Sequence, residues 1–366
     1  MKVLVIQQKM IGDVLISCIL LEAIKERYPQ AQLHYLIQEH TLAVVQNNPH
    51  VDHFVVTGAT EQKKRSHFIT LCNHVRRQKY DVVIDAYSKT SSAFLCLLSG
   101  AKIRSGYRKQ YSSFMYSHPV QRIKAPRLGA SLAIENRMLL LDCLDIKFTT
   151  RSPCIYLSDQ ETQDASTALS QHGIDSHKPL FMIGVLGSSR AKSLPDTYMA
   201  ELLDMLLEAV PEAQLLFNYA PAQLPEARTI LSLCSERTQK SVVFDLLGGS
   251  LREFLALTFH CDALIGNEGG AINMAKALGV ATFALFSPAL NKLNWHGENE
   301  GPRHTAVHLS DYIKFSQTAK DPVKATPQSE YMMFTPDLIE DDLLRFLELI
   351  AKERRTRTIV IDHADQ

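Results

Sequence analysis

Three short segments of this chain combine glycine, hydroxyl, amide and charged residues in ways that could carry chemistry. The first, Gln7-Gln-Lys-Met-Ile-Gly12-Asp13, joins an apolar run to a helical pattern. Gly12 can take backbone shapes closed to other residues, and Asp13 stands where a helix start favours a carboxylate. Taken alone, such a carboxylate reads as a helix cap. The loop lacks G-x-G-x-x-G and G-x-x-x-x-G-K-[ST], so a dinucleotide fingerprint or a P-loop is not supported.

The second segment is Gly187-Ser-Ser-Arg-Ala-Lys192-Ser-Leu-Pro195. Hydroxyls at Ser188 and Ser189, the Lys192 cation and free amides at a helix start suit a diphosphate. A soluble turn with proline at a helix entry fits equally well. The third is Ile265-Gly-Asn-Glu268-Gly-Gly-Ala-Ile-Asn273. There Gly269 and Gly270 let backbone amides approach a phosphate oxygen, and the helix dipole adds attraction. Glu268 would be repelled by phosphate, so its chemistry is binding ribose or sugar hydroxyls, orienting the turn, or simply opening the helix. The turn Leu247-Gly-Gly249-Ser250 could admit a flat base, although a cap at Ser250 explains it too. No Asp-x-Asp and no His/Cys/carboxylate set with ligand spacing occurs, so neither a metal nor a resident cofactor is expected.

These loops need strands to carry them. Residues 3–6, 32–37, 53–56 and 81–85 read as apolar strands, with helices over 14–27, 67–78 and 91–98. A second series runs through strands at 180–185, 214–218, 242–245, 263–265 and 282–286, with helices at 196–210, 225–236, 251–259 and 270–278 between them. Continuous apolar strands alternating with helices predict parallel sheets covered on both faces. The chain therefore reads as two doubly wound α/β domains, over 1–157 and 158–335, opening on a βαβ unit. Ligands in such sheets bind at the strand carboxyl ends, which two tandem domains turn towards a shared cleft. Residues 299–336 read as irregular, and a helix over 336–352 is expected to pack back towards the first domain, followed by a loose tail.

Composition narrows the class. With 366 residues, 46% hydrophobic and 21% charged, the chain is globular and too long for one ordinary core. Its seven cysteines are scattered and odd in number, as expected of reduced core residues. No run resembles a signal peptide or a membrane span, so the expected location is the cytoplasm, at most peripheral on the inner membrane face. The net charge is zero, yet residues 1–150 carry 20 Lys and Arg against 11 Asp and Glu. That excess either draws an anionic partner to the first half or is a solvated basic surface. No nucleic-acid motif accompanies it.

Taken in order, I-G-D-V-L from Ile11, Y-D-V-V-I-D from Tyr80, I-R-S-G-Y from Ile103, S-S-R-A-K-S-L-P from Ser188 and N-E-G-G-A-I-N-M-A-K-A-L-G from Asn267 resemble glycosyltransferase family 9, the lipopolysaccharide heptosyltransferases. The resemblance spans roughly residues 1–350. It implies a GT-B fold, an acceptor on the first domain, a nucleotide-diphosphate heptose of the ADP-heptose kind as co-substrate on the second, and inversion at the sugar carbon. By the same match Asp13 is the general base, Ser188, Ser189 and Lys192 hold the diphosphate, and Gly249, Glu268, Gly269, Gly270 and Asn273 surround the donor. Lys9, Gly12, Lys63, Lys64, Arg65, Arg104, Arg108 and Lys109 are candidates for an anionic acceptor, and Arg122, Lys124 and Arg127 for the membrane surface. The family usually has Asp at position 268, His at 273 and a bulky aromatic at 194, where this chain has Glu, Asn and Leu; these changes bear on the donor. A nucleotide-sugar epimerase and a non-catalytic nucleotide-sugar binder are the rival readings.

Overall fold

The computed structural model describes residues 1–58, 65–149, 151–313 and 331–364. The chain divides into two compact units, Met1–Tyr156 with Leu293–Asn299, and Leu157–Lys292 with Glu300–Gln366.

The first unit contains β1 (Lys2–Ile6), α1 (Ile11–Arg27), β2 (Gln32–Gln38), β3 (His53–Thr57), α2 (Arg65–Arg77), β4 (Val82–Asp85), α3 (Thr90–Leu98), β5 (Ile103–Tyr107), β6 (His118–Val120) and α4 (Leu132–Met138). Its six strands pair in parallel in the order β3-β2-β1-β4-β5-β6. Val3, Leu4, Val5 and Ile6 are fully buried, because a central parallel strand is covered on both faces. α1 is buried almost all round, from Val14 to Ile24, so it lies inside the unit rather than on its surface. β6 carries Pro119 and closes one edge, the position in a sheet where proline is tolerated.

The second unit contains α5 (Asp159–Gln171), β7 (Leu180–Gly184), α6 (Asp196–Ala209), β8 (Gln214–Asn218), α7 (Leu224–Leu233), α8 (Glu236–Ser241), β9 (Val242–Val243), α9 (Leu251–Phe259), β10 (Ala263–Asn267), α10 (Gly270–Ala277), β11 (Ala281–Phe286), β12 (His304–His308), α11 (Leu309–Tyr312) and α12 (Pro336–Ala364). Its strands are also parallel, in the order β12-β11-β10-β7-β8-β9. Counted from each unit's first strand, the two sheets share one order, 3-2-1-4-5-6. In each, the order reverses between the first and fourth strands, which leaves a crevice at their carboxyl ends.

Several elements differ from expectation. Ser158 and Glu161 form a capping box that starts α5, a helix absent from the expected elements. β12 falls in the region expected to be irregular. The final helix continues through the expected tail to Ala364, and its Ile339, Leu343, Phe346, Leu347 and Ile350 are buried in the core of the second unit with Phe283 and Leu203. No described helix is long and apolar enough to cross a membrane.

Candidate active site

In the first unit the crevice lies between β1 and β4, and α1 starts there. The positive backbone angle in this turn belongs to Met10, at φ 67°, and not to Gly12, which lies inside the helix with ordinary space around its Cα. A non-glycine residue held in that region is strained, and such strain is kept where the surrounding structure over-determines it. Gly12 instead leaves room for Trp295, whose ring edge would meet an added Cβ at 3.9 Å. Trp295 comes from Leu293–Asn299, a segment whose docking depends on glycine: a Cβ at Gly297 would lie 2.6 Å from the backbone of Ala130 and Ser131.

Asp13 sits in the first turn of α1, one third exposed, and makes no side-chain cap. Its Oδ1 accepts a hydrogen bond of 2.6 Å from Arg137 on α4. Arg137 is buried, and its remaining donors are used as well: Nε donates to Ser17 Oγ at 2.8 Å, and Nη1 to the Ala133 carbonyl at 2.9 Å. Ser17 in turn donates to the Asp13 carbonyl at 2.8 Å. A guanidinium held through all three of its nitrogens resists rotation, so the carboxylate it grips is fixed in direction. The charge of Asp13 also reaches Tyr87, just beyond β4, and Tyr107, the last residue of β5. Both phenols are pushed up mainly by burial. Gln7, buried at the end of β1, has its Oε1 without a hydrogen-bond partner among the described residues.

Asp85 ends β4 and is fully buried. It accepts from the Ser88 amide and the Tyr116 hydroxyl, both at 2.8 Å. Burial pushes its carboxyl up to about 6 despite these bonds. Ser88, at φ 46°, is held further by Lys109, which donates to its carbonyl at 2.5 Å. Asp85 and Lys109 thus brace the loop that carries Tyr87.

The second unit repeats the arrangement between β7 and β10. Asn267 ties the two strand ends together: its Oδ1 accepts from the Leu194 amide at 2.8 Å, and its Nδ2 donates to the Val185 carbonyl at 3.0 Å. A Cβ at Gly187 would lie 2.2 Å from the Lys192 carbonyl oxygen, so the loop doubles back on itself only because residue 187 is glycine. The buried Ser193 pins this fold, donating to the Ser189 carbonyl and accepting from the Gly187 amide. Ser188 and Ser189 are left exposed, and Lys192 is half-buried with no partner among the described residues. Glu268 is buried, and burial raises its carboxyl above the usual range, opposed by the nearby Lys192 and Lys276 cations. The loops after β7 and β10 therefore meet at one charged cluster. Gly269 and Gly270 begin α10, where no Cβ contact restricts either. Asn273 donates to the Gly269 carbonyl at 3.2 Å and so stiffens the turn.

Other expected residues fall elsewhere. Gly249 donates its amide to Glu253, within the cap that Ser250 makes on α9. Arg104 lies near the amino end of β5, with its guanidinium on the Met115 and Ala101 carbonyls, so it braces the sheet away from the crevice. Lys9 and Arg108 are exposed on loops at strand carboxyl ends. Lys63, Lys64 and the side chain of Arg65 lie outside the described residues. Pattern reading missed Arg137, Tyr87, Trp295 and Asn267. The arginine had a signal, an obligatory cation directly before the apolar run Met138-Leu-Leu-Leu141.

Two six-stranded parallel sheets of one order, each with polar loops at its reversal point, make up the GT-B architecture. The glycosyltransferase family 9 protein of Veillonella parvula superposes with a TM-score of 0.79, at 18% identity over 96% of this chain and 97% of that one. For the ADP-heptose lipopolysaccharide heptosyltransferase II of Escherichia coli the values are 0.69 and 20%, over 95% and 99%. The sequence profile of glycosyltransferase family 9 (heptosyltransferase) matches residues 68–325, and the chain belongs to that family. Among curated relatives, lipopolysaccharide heptosyltransferase 2 of E. coli is 24% identical over 79% of this chain and 83% of its own length. Lipopolysaccharide heptosyltransferase 1 of Campylobacter coli is 20% identical over 78% and 84%.

Proposed function

We propose that this enzyme transfers a heptose, or a related sugar, from a nucleotide-diphosphate donor of the ADP-heptose kind to a saccharide of the lipopolysaccharide core, with Asp13 as general base. The Arg137 grip on Asp13 carries this reading, because a helix cap would point to the helix amides, and this carboxylate makes no such bond. The first unit takes the acceptor and the second the donor. The acceptor hydroxyl attacks the anomeric carbon of the donor sugar while its proton passes to the Asp13 carboxylate. The bond from that carbon to the diphosphate oxygen breaks, and the nucleoside diphosphate leaves with the bonding pair. Attack opposite the leaving group inverts the anomeric centre.

The departing charge needs fixed donors. Lys192, the hydroxyls of Ser188 and Ser189, and the amides at the start of α10 supply them in this reading, with no cation required. The basic excess of the first half supports an acceptor bearing phosphate or acidic sugars. The test is single-turnover transfer from ADP-heptose to a core acceptor. Asp13→Asn, which keeps the shape and removes the base, is expected to lower the chemical step by about 10²–10⁴-fold while ADP affinity stays unchanged. Full turnover in the variant would remove Asp13 from catalysis, and epimerised sugar formed from donor alone would replace transfer altogether.

A further inference from the structure

Trp295 is the single tryptophan of the chain. Its Cζ3 lies 3.9 Å from where a Cβ on Gly12 would stand, so the indole covers the start of α1 next to Asp13. The residue is only half-buried. Among the described residues its ring meets no other aromatic ring and no cation, and its indole N–H has no hydrogen-bond partner. A buried tryptophan normally gives that N–H to a partner. Any apolar side chain could plug the space over Gly12, so the unused ring face and N–H need another account.

The segment that carries Trp295 is held firmly. Asn299 donates its amide to the Gly129 carbonyl and its Nδ2 to the Leu128 carbonyl, both at 2.9 Å. The approach is close enough that a Cβ on Gly129 would lie 2.5 Å from Nδ2 of Asn299. Ion pairs fix the flanking residues, Lys292 with Asp311 and Glu300 with Lys276. The indole is therefore a placed surface and not a loose side chain.

Its surroundings select what could lie on it. The turn before α1 offers two oxygen acceptors, the Asp13 carboxylate and Oε1 of Gln7, which is buried without a partner among the described residues. A pyranose ring has an apolar C–H face and a rim of hydroxyl donors, so it can meet the indole and both oxygens together. An acyl chain would suit the ring but leave those oxygens without donors, and a phosphate would be repelled by Asp13.

We propose that Trp295 is the platform on which the acceptor's terminal sugar stacks, C–H face to indole, so that the attacking hydroxyl is held towards Asp13. This rests on the reading of the first unit as the one that takes the acceptor.

The experiment uses a deacylated, heptose-deficient core saccharide as the probe. Because the chain has one tryptophan, its emission reports this position alone. The saccharide is expected to shift the wild-type emission to the blue, saturably, with the same Kd as calorimetry gives. Trp295→Leu, which keeps an apolar plug over Gly12, is expected to raise the KM for the saccharide about tenfold and leave the KM for ADP-heptose unchanged. Trp295→Phe should restore it to within about threefold of the wild type, because a ring face returns. Emission that stays still while calorimetry registers binding, or a folded leucine variant with wild-type KM, would overturn the proposal. Equal losses in the leucine and phenylalanine variants, with the donor KM moving too, would make the indole a structural plug. A wild type that does not bind the saccharide at all would remove the acceptor reading and this inference with it, whereas full turnover in Asp13→Asn would remove the base and leave the platform standing. The emission titration needs no variant, so the question stays decidable even where a substitution unfolds the chain.

Discussion

At the scale of single residues, the proposed mechanism turns on Asp13 and the Arg137 guanidinium that grips it. Breaking a buried charge pair by removing one partner costs about 3–5 kcal/mol when the other stays buried, but Asp13 is one third exposed, so water offsets much of that cost. The loss should appear in rate instead. Arg137→Met is expected to lower kcat by about tenfold to a hundredfold with KM for the donor nearly constant, because a misdirected base loses near-attack geometry. Arg137→Lys should recover part of it through one remaining hydrogen bond. A parallel fall of kcat in both variants, or a change confined to KM, would make Arg137 merely structural. Asp13 was legible in the sequence as a residue but not as a role, since a lone helix-start aspartate reads as a cap. Its partner lies 124 positions away, a separation across which no local pattern reports.

At the scale of elements, the loop after β7 shows how backbone shape is set by one position. Gly187→Ala would place a methyl group against the Lys192 carbonyl, where only backbone movement relieves the clash. Such overpacking typically costs 1–3 kcal/mol, and Gly187→Ala should lower the unfolding free energy by about that much. Because the shifted backbone carries Ser188, Ser189 and Lys192, ADP affinity measured by calorimetry should fall with it. Unchanged affinity in a folded variant would detach this loop from the nucleotide. The sequence pattern located the loop and both of its ends, since Gly and Pro bracket it. It did not disclose that Asn267 pins it, because that bond comes from β10, which neighbours β7 only in the sheet. α5 was missed for a related reason: its capping box was present, but few apolar residues follow, and Ala165 and Leu169 alone are buried.

At the scale of the whole molecule, two carboxylates give stability opposite dependences on pH. Hydrogen bonds from Arg252 hold the Glu161 carboxyl down to about 2, so its contribution is present above about 4.5 and is lost as pH falls through about 2. Asp85 is raised from 3.8 to about 6, so its contribution is complete below 3.8 and is lost as pH rises through about 6. Relative to Asp85→Asn, the wild type should therefore lose on the order of 3 kcal/mol of unfolding free energy between about pH 4 and about pH 7. Denaturant titrations of both proteins across that range measure the difference, and a constant difference would mean that Asp85 stays ionised throughout. The sequence by itself determined the alternation of strand and helix, hence two doubly wound units and the loops where ligands bind, because hydrophobic period and glycine placement are local properties. Only the tertiary structure decided which strands adjoin, that both sheets reverse where Asp13 and Lys192 stand, that the last helix belongs to the second unit, and that Arg137 grips Asp13. Those outcomes depend on burial and charge pairing between segments far apart in the chain, which act only once the sheets have formed.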